Sequence, residues 1–204
     1  MPSADEPRRR KRLPAARRRE LLLAAASEVV ADVGPRRARL ADIAQRAGVT
    51  KALVYRHFPS KEAMLVALIE DHGRGLIAEF TDSQLGAAQT RLRDGMRAVL
   101  AYARDNPAAW RILFVERFDD PLVSAAQAAV LDAGAAMIAG RIELDLGLDP
   151  GAELGQVLAR MARSAIDGLI AWWYANPAAD IDELTDIGTR FIAAGTASWT
   201  GATR

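Results

Sequence analysis

Cysteine is absent from the 204 residues. That excludes a disulfide framework and any thiolate metal site, and it fits a reducing compartment such as the cytoplasm. The only histidines are His57 and His72, too few for a common zinc site; no metal or other cofactor is expected. No GxSxG, Walker loop, HExxH or dinucleotide glycine fingerprint occurs, so nothing singles out an enzyme. A helical enzyme with an acid–base pair hidden among the 26 acidic residues is the alternative. An apolar run long enough to span a bilayer is not expected, and neither is a membrane partner. The cluster RRRKR followed by LLLAAA mimics a secretion signal. However, Pro14, three arginines and Glu20 lie between the two, and Glu28 and Asp32 continue the same periodic pattern, which predicts a soluble helix instead. No alternating β-type run and no internal repeat is found.

What is present is an uneven charge distribution. The net charge of +1 conceals a basic head and an acidic body: residues 1–61 carry 15 Lys/Arg against 6 Asp/Glu, and residues 62–204 carry 12 against 20. One end is therefore suited to a polyanion and the other is not. Residues 1–13 are polar, basic and non-periodic and read as a disordered arm. Its RRRKR segment, residues 8–12, either enters a DNA minor groove or stays a solvated tail. From Pro14 the pattern is helical: Leu22, Ala25, Ala26, Val29, Val30 and Val33 recur at three- and four-residue steps, and Gly34-Pro35 ends the run. Leu40, Ile43, Ala44 and Ala47 make a second short stripe stopped by Gly48. A third helix spans about Thr50 to His57, and Ser60 is placed to cap a fourth that runs from Lys61 to about Phe80. Further starts are marked by Asn106-Pro107, Asp120-Pro121 and Asp149-Pro150, a capping side chain before a proline, and by the spacing of Asp180 and Glu183. The expectation is an all-α chain of about nine helices. It divides into the arm (1–13), a helix-turn-helix domain (14–61), a connecting helix (62–80) and a larger helical domain (81–204).

The informative stretch is RLADIAQRAGVTKALVYRHFPSKEAMLVAL, residues 39–68. Two short helices joined by a tight glycine turn, followed by a longer helix, can lay the second helix in a DNA major groove. Thr50, Lys51 and Ala52 open that helix, where residues reach base edges: Lys51 can donate to guanine and the Ala52 methyl can meet a thymine methyl. Lys61 stands at the first turn of the next helix, where its charge and the helix N-terminus both favour a phosphate. Arg56 is a further phosphate candidate.

Residues 17–68 closely resemble the DNA-binding domain of the tetracycline-repressor (TetR) family, with the DIA, AGV, YRHF and SKE elements in family register. The resemblance implies backbone contacts by Tyr55 and His57. The bland alternatives are a packing tyrosine, a capping histidine and, at Lys51, a solvated charge. The family's Thr or Ser before the second helix is replaced here by Ala38 and Arg39, so that cap is in question while Arg39 can meet phosphate. The resemblance also implies a homodimer on an operator in double-stranded DNA, a small-molecule effector in the C-terminal domain, and hence a ligand-released repressor, or else a ligand-independent or activating regulator.

The C-terminal half agrees with the dimer through its last two helices that the resemblance implies; a monomer with one thick core is the alternative. Residues 151–175, GAELGQVLARMARSAIDGLIAWWYA, are apolar on two faces, and a helix with two such faces needs two partners. Leu169 and Trp172, with Ile187 and Phe191 of the last helix, are the interface candidates. Candidate pocket walls are Met96, Leu100, Trp110, Phe114 and Phe118, with Met137 and Trp173. Arg163 and Asp167, four apart on one face, either orient a polar group of an apolar guest or pair with each other.

Overall fold

The computed structural model describes residues 14–85 and 90–199, and the basic segment 8–12 lies outside them. Among the described residues there are nine α-helices and no strand. They are α1 (Ala15–Val33), α2 (Leu40–Arg46), α3 (Lys51–His57), α4 (Lys61–Ser83), α5 (Arg91–Asp105), α6 (Pro107–Trp110), α7 (Pro121–Leu146), α8 (Glu153–Ala175) and α9 (Ile181–Ala197). A π-helical turn, Arg111–Val115, continues α6.

The caps explain most of the boundaries. Ser60 accepts from the Ala63 amide at 3.1 Å and starts α4. Asp120 accepts from the amides of Leu122 and Val123, and Asp180 from those of Asp182 and Glu183, each satisfying orphan donors of a first turn. Two proline-marked starts behave differently. Asn106 makes no N-cap bond; its Nδ2 donates backwards to the Tyr102 carbonyl at 3.1 Å and closes α5. No helix begins at Pro150. The Gly151 amide is captured instead by the buried Glu143 carboxylate at 3.1 Å, and α8 starts only at Glu153.

One hydrophobic core serves both the small head and part of the body. Leu22 and Val30 of α1, Ile43 of α2, Val54 of α3 and Met64 and Leu68 of α4 belong to the same cluster as Ala108, Ile112, Leu113 and Val123. A second core joins α5, α6, α8 and α9 through Met96, Leu100, Trp110, Ile170, Leu184 and Ile192. Close approach of α4 and α7 depends on Gly73, where a Cβ would lie 2.6 Å from a methyl of Val130. The expectation of no bilayer-length apolar run is corrected by α7. Its 26 residues include a window of mean hydropathy 1.6, which is long and apolar enough by length and composition to cross a membrane. Asp132 and Arg141 interrupt the run and mask it in the sequence, and here the helix packs along α4 and α8.

A polar pin sits where head and body meet. His72 of α4 is buried; its Nε2 lies 3.0 Å from Ser27 Oγ of α1 and its Nδ1 3.3 Å from the Tyr102 hydroxyl of α5. That hydroxyl donates to the His72 carbonyl at 3.0 Å. Its oxygen is then left to accept from Nδ1–H, and in the neutral imidazole Nε2 accepts from the Ser27 hydroxyl. Burial pushes the His72 pKa below 6.5, opposed by the nearby Asp71 carboxylate. Burial, with Asp71 and Glu79, pushes the Tyr102 hydroxyl up to about 12. A histidine depressed in the folded state contributes stability that is complete above its unfolded pKa and is lost as pH falls through it. Thermal unfolding followed between about pH 7.5 and about pH 5 should therefore show a loss of stability on acidification that is smaller in His72→Gln, a non-titrating side chain. Equal slopes for the two proteins would remove His72 as a source of the pH dependence.

Candidate functional site

The helix-turn-helix is held by few residues, which leaves most of its surface outward. In α2, Leu40, Ile43 and Ala44 are buried; α3 buries only Val54. Between them Gly48 takes φ +64°, a left-handed turn that an L side chain rarely adopts, and the Val49 amide bonds to the Ala44 carbonyl at 3.0 Å. Arg46 forms ion pairs with Glu28 at 2.9 Å and Asp32 at 2.6 Å and so ties α2 to α1.

Because α3 is anchored through one face alone, Lys51, Ala52, Tyr55 and Arg56 all project to solvent, at positions one turn apart. Thr50 accepts a long bond, 3.4 Å, from the Leu53 amide and caps the helix. His57 is half-buried; burial and the charges of Arg56, Arg18 and Arg19 push its pKa below 6.5, so the ring is neutral near pH 7. Arg39 occupies the N-cap position of α2 without a side-chain cap, as the replaced Thr or Ser implied.

Lys61 has a partner that its position in the sequence did not show: its Nζ donates to the Arg36 carbonyl at 2.6 Å. Arg36 in turn bonds the Arg117 carbonyl at 3.0 Å and the Glu116 carboxylate at 3.3 Å. The result is an open bowl beside α3 whose rim includes Arg36, Arg37, Arg39, Tyr55 and Lys61, with Asp42 the one carboxylate among its lining residues. Arg36 and Arg37 escaped the sequence reading. The run RRAR at 36–39 was the available signal, and the loop's turn toward α4 is what makes it count. Four cations around a concavity next to an exposed helix can hold phosphate and position that helix over base edges.

In the body, the proposed pocket walls are mostly core. Met96, Leu100 and Trp110 are buried in the second core, and Trp110 stacks on Phe114 at 4.5 Å. Phe114 bridges the two cores, Phe118 packs against the first, and Met137 is half-buried on α7. Trp173 packs against the second core with its indole N–H buried and unpaired. Arg163 pairs with Asp167 at 3.4 Å and donates to the Leu131 carbonyl at 3.4 Å. Burial raises the Asp167 pKa against that pairing. The cavity nearby, about 200 Å³, lies among α4, α5, α7, α8 and α9; of the nine candidate wall residues only Met96 reaches it. Its aliphatic lining, including Leu92, Ile142, Ile166 and Ile192, comes from four helices with no common spacing, so no sequence pattern marked it.

The interface candidates divide. Trp172, Ile187 and Phe191 are exposed, together with Val157 and Met161, in one stripe across α8 and α9. Leu169 instead faces the protomer's own second core, with a methyl near Gly188.

Comparison with known proteins agrees with this geometry. Residues 22–68 match the family described as bacterial regulatory proteins, tetR family. The nucleoid occlusion factor SlmA of Haemophilus influenzae is 39% identical over 82 residues, 39% of this chain and 38% of that protein. The chain thus matches well under half the length of that relative. The HTH-type transcriptional activator FasR of Mycolicibacterium smegmatis is 29% identical over 80% of this chain and 72% of its own length. In fold, the crystal structure of FadR from Bacillus subtilis in complex with stearoyl-CoA superposes with a TM-score of 0.73 at 20% identity, over 86% of this chain and 98% of that one. Residues 22–68 thus carry the helix-turn-helix of the tetR family of bacterial regulatory proteins, on an all-helical frame with the same fold as FadR.

Proposed function

We propose that the protein is a DNA-binding transcriptional regulator that acts as a homodimer on a near-palindromic operator and is released by a small, largely apolar effector. The observation that carries this reading is the exposed face of α3 (Lys51, Ala52, Tyr55, Arg56) above a bowl of four cations. Two-fold symmetry would place two such faces in successive major grooves, about 34 Å apart or a small multiple. Such a protein works in the cytoplasm, with no membrane partner and no catalytic step. Its domains are the arm (1–13), the reading head (14–61), the connecting helix (62–80) and the ligand and dimer domain (81–204).

Contacts to phosphate and to bases differ in what they change. Arg37→Ala and Lys61→Ala should weaken binding to all sequences roughly tenfold and lower the salt dependence by about one unit of slope. Lys51→Ala should instead change which sequences are preferred, since it reads a base edge. Selection of random duplexes, with titrations at several salt concentrations, separates the two. Equal weakening of every site by Lys51→Ala and Lys61→Ala would defeat this division of roles.

For the dimer, Phe191 is 67% exposed and Met161 64%, on adjoining helices, an apolar patch suited to a second copy. The charge that tests it belongs at those positions rather than at Leu169, whose loss would damage the protomer's own core. Phe191→Asp and Met161→Asp bury an unpaired ion only in a dimer, so sedimentation should show folded monomers. Two intact dimers would place the interface elsewhere.

FasR is named an activator, which favours a second reading: the same DNA contacts serving activation. A promoter fusion bearing the selected operator decides between them, because deletion of the regulator raises expression under repression and lowers it under activation.

A further inference from the structure

We propose that Glu116 is a positioning residue for DNA binding: fixed to the body, it holds Arg36 and so sets the loop that carries Arg37, Arg39 and the carbonyl gripped by Lys61. The inference rests on the reading of α3 and its bowl as a DNA-reading surface. It adds a residue outside the helix-turn-helix on which that surface depends.

Glu116 follows the π-helical turn and is held at each of its polar groups. Its amide donates to the Arg111 carbonyl at 2.9 Å. Its carbonyl accepts from the buried Gln127 amide at 3.0 Å. Its side chain is only 17% exposed, and the carboxylate lies between two guanidinium groups. Arg36 Nε donates to one oxygen at 3.3 Å, and Arg111 Nε lies 3.6 Å from the other. An ordinary surface ion pair is weak partly because two long side chains must be ordered together. Here one end is fixed beforehand, so only Arg36 has freedom to lose.

On the loop side, Arg36 commits two of its three guanidinium nitrogens to the body, Nε to Glu116 and Nη2 to the Arg117 carbonyl at 3.0 Å. The second arginine held by Glu116 bears on the same loop. The Arg111 guanidinium lies against Gly34, where a Cβ would come within 2.8 Å of it and φ is +80°. The Arg36 carbonyl accepts from Lys61 Nζ at 2.6 Å. Moving the Arg36 backbone therefore moves the anchor of Lys61 and, with it, residues 37 and 39 on the rim.

Charge alone gives the opposite sign. Glu116 lines a groove next to the bowl, and Arg36 and Arg37 line both. A carboxylate there repels phosphate and competes with it for Arg36, so neutralising it should tighten binding and steepen the salt dependence. Two observations favour positioning. Glu116 is tied through its backbone on both sides, and releasing Arg36 to phosphate would leave a mostly buried carboxylate with Arg111 alone, at 3.6 Å, which is costly.

The test uses the full-length protein and duplexes selected by the wild type. Glu116→Gln should weaken binding to every sequence about fivefold, the worth of one well-held ion pair, with the salt slope unchanged because no phosphate contact is removed. Arg36→Gln should also weaken binding, and Glu116→Gln should then add no further loss, since the two act as one strut. Without DNA, hydrogen exchange at the amides of residues 36–39 should quicken in Glu116→Gln, while α8 and α9 exchange as in the wild type. If Glu116→Gln lowers the folded content, Arg36→Gln, at a side chain 67% exposed, reads the same loop exchange from the other end. Tighter or unchanged binding by Glu116→Gln, additive losses, or unaltered loop exchange overturns the proposal. A wild-type protein that selects no duplex overturns the regulator reading and the DNA role with it; selective binding that Glu116→Gln leaves intact overturns the strut alone.

Discussion

The structure depends on α4 being shared. Its first half completes the head: Met64, Leu65, Leu68 and Ile69 are buried with α1 and the two short helices. Its middle is clamped by Gly73 against Val130 and pinned by His72 to Ser27 on one side and Tyr102 on the other. A three-helix head of fewer than fifty residues buries too little surface to be robust alone. By lending it a helix from the body and continuing its core into Ala108, Ile112 and Leu113, the fold stabilises the head and, by the same contacts, packs it onto the body. The buried polar pin adds direction to an otherwise non-directional apolar seam. Its three hydrogen-bonding groups are satisfied in one arrangement, and leaving any one unpaired is costly.

A second seam runs beside the first. Arg36, on the loop between α1 and α2, reaches Glu116 and the Arg117 carbonyl just beyond the π-helical turn. Arg111 of that turn also lies within ion-pair distance of Glu116, at 3.6 Å. The turn is held open by Gln127 of α7, whose buried amide donates to the carbonyls of Ile112, Leu113 and Glu116. A π turn leaves backbone acceptors without their usual partners, and one glutamine supplies them. Trp110, just before this turn, belongs to the second core, and Phe114 within the turn packs against it. The second core thus adjoins Glu116 and, through Arg36, the loop that carries Arg37 and Arg39. The surface ion pair is worth little in free energy, but the buried glutamine and the seam of backbone contacts give it a fixed geometry.

How far all this could be read from the residues depends on the range of the interaction. Ser60, Asp120 and Asp180 cap helices as their spacing requires, since a cap needs only the next three residues. Asp149-Pro150 has the same local form and starts nothing, because Glu143, seven residues back and buried, takes the Gly151 amide. The outward face of α3 was legible because a seven-residue helix with one buried side chain has little choice about what it exposes. The basic bowl was only half legible: Lys61 and Arg39 are marked by position, but Arg36 and Arg37 join them through a tertiary fold of the loop. The walls of the cavity were the least legible. Met and aromatic stripes announce burial without saying whether the space beside them is filled, and in Leu100 and Trp110 it is filled. The empty space instead adjoins Ile138, Ile142 and Ile166, side chains of no distinguishing chemistry.

Phe80 and Gln84, at the far end of α4, also line the cavity, while Ile192 and Thr196 on the opposite wall belong to α9, whose outer face carries Phe191. A guest in this space thus touches the end of the lever and the back of the helix on which two copies would meet. A helix of 23 residues is roughly 34 Å long, so turning it by about 5° around its pinned middle moves its first residue by roughly 1.5 Å. Lys61 is that first residue, and its bond to the Arg36 carbonyl carries the bowl with it. In a dimer both heads move, and a rigid operator accepts one separation better than others. On the proposed reading, the guest's influence is its difference in affinity between the two separations, commonly about 1–3 kcal/mol. Tight binding alone accomplishes nothing if both arrangements hold the guest equally well. A cavity with one wall that would move with α4 and another that a dimer would fix meets that requirement, because its shape would not stay constant while the heads changed their spacing.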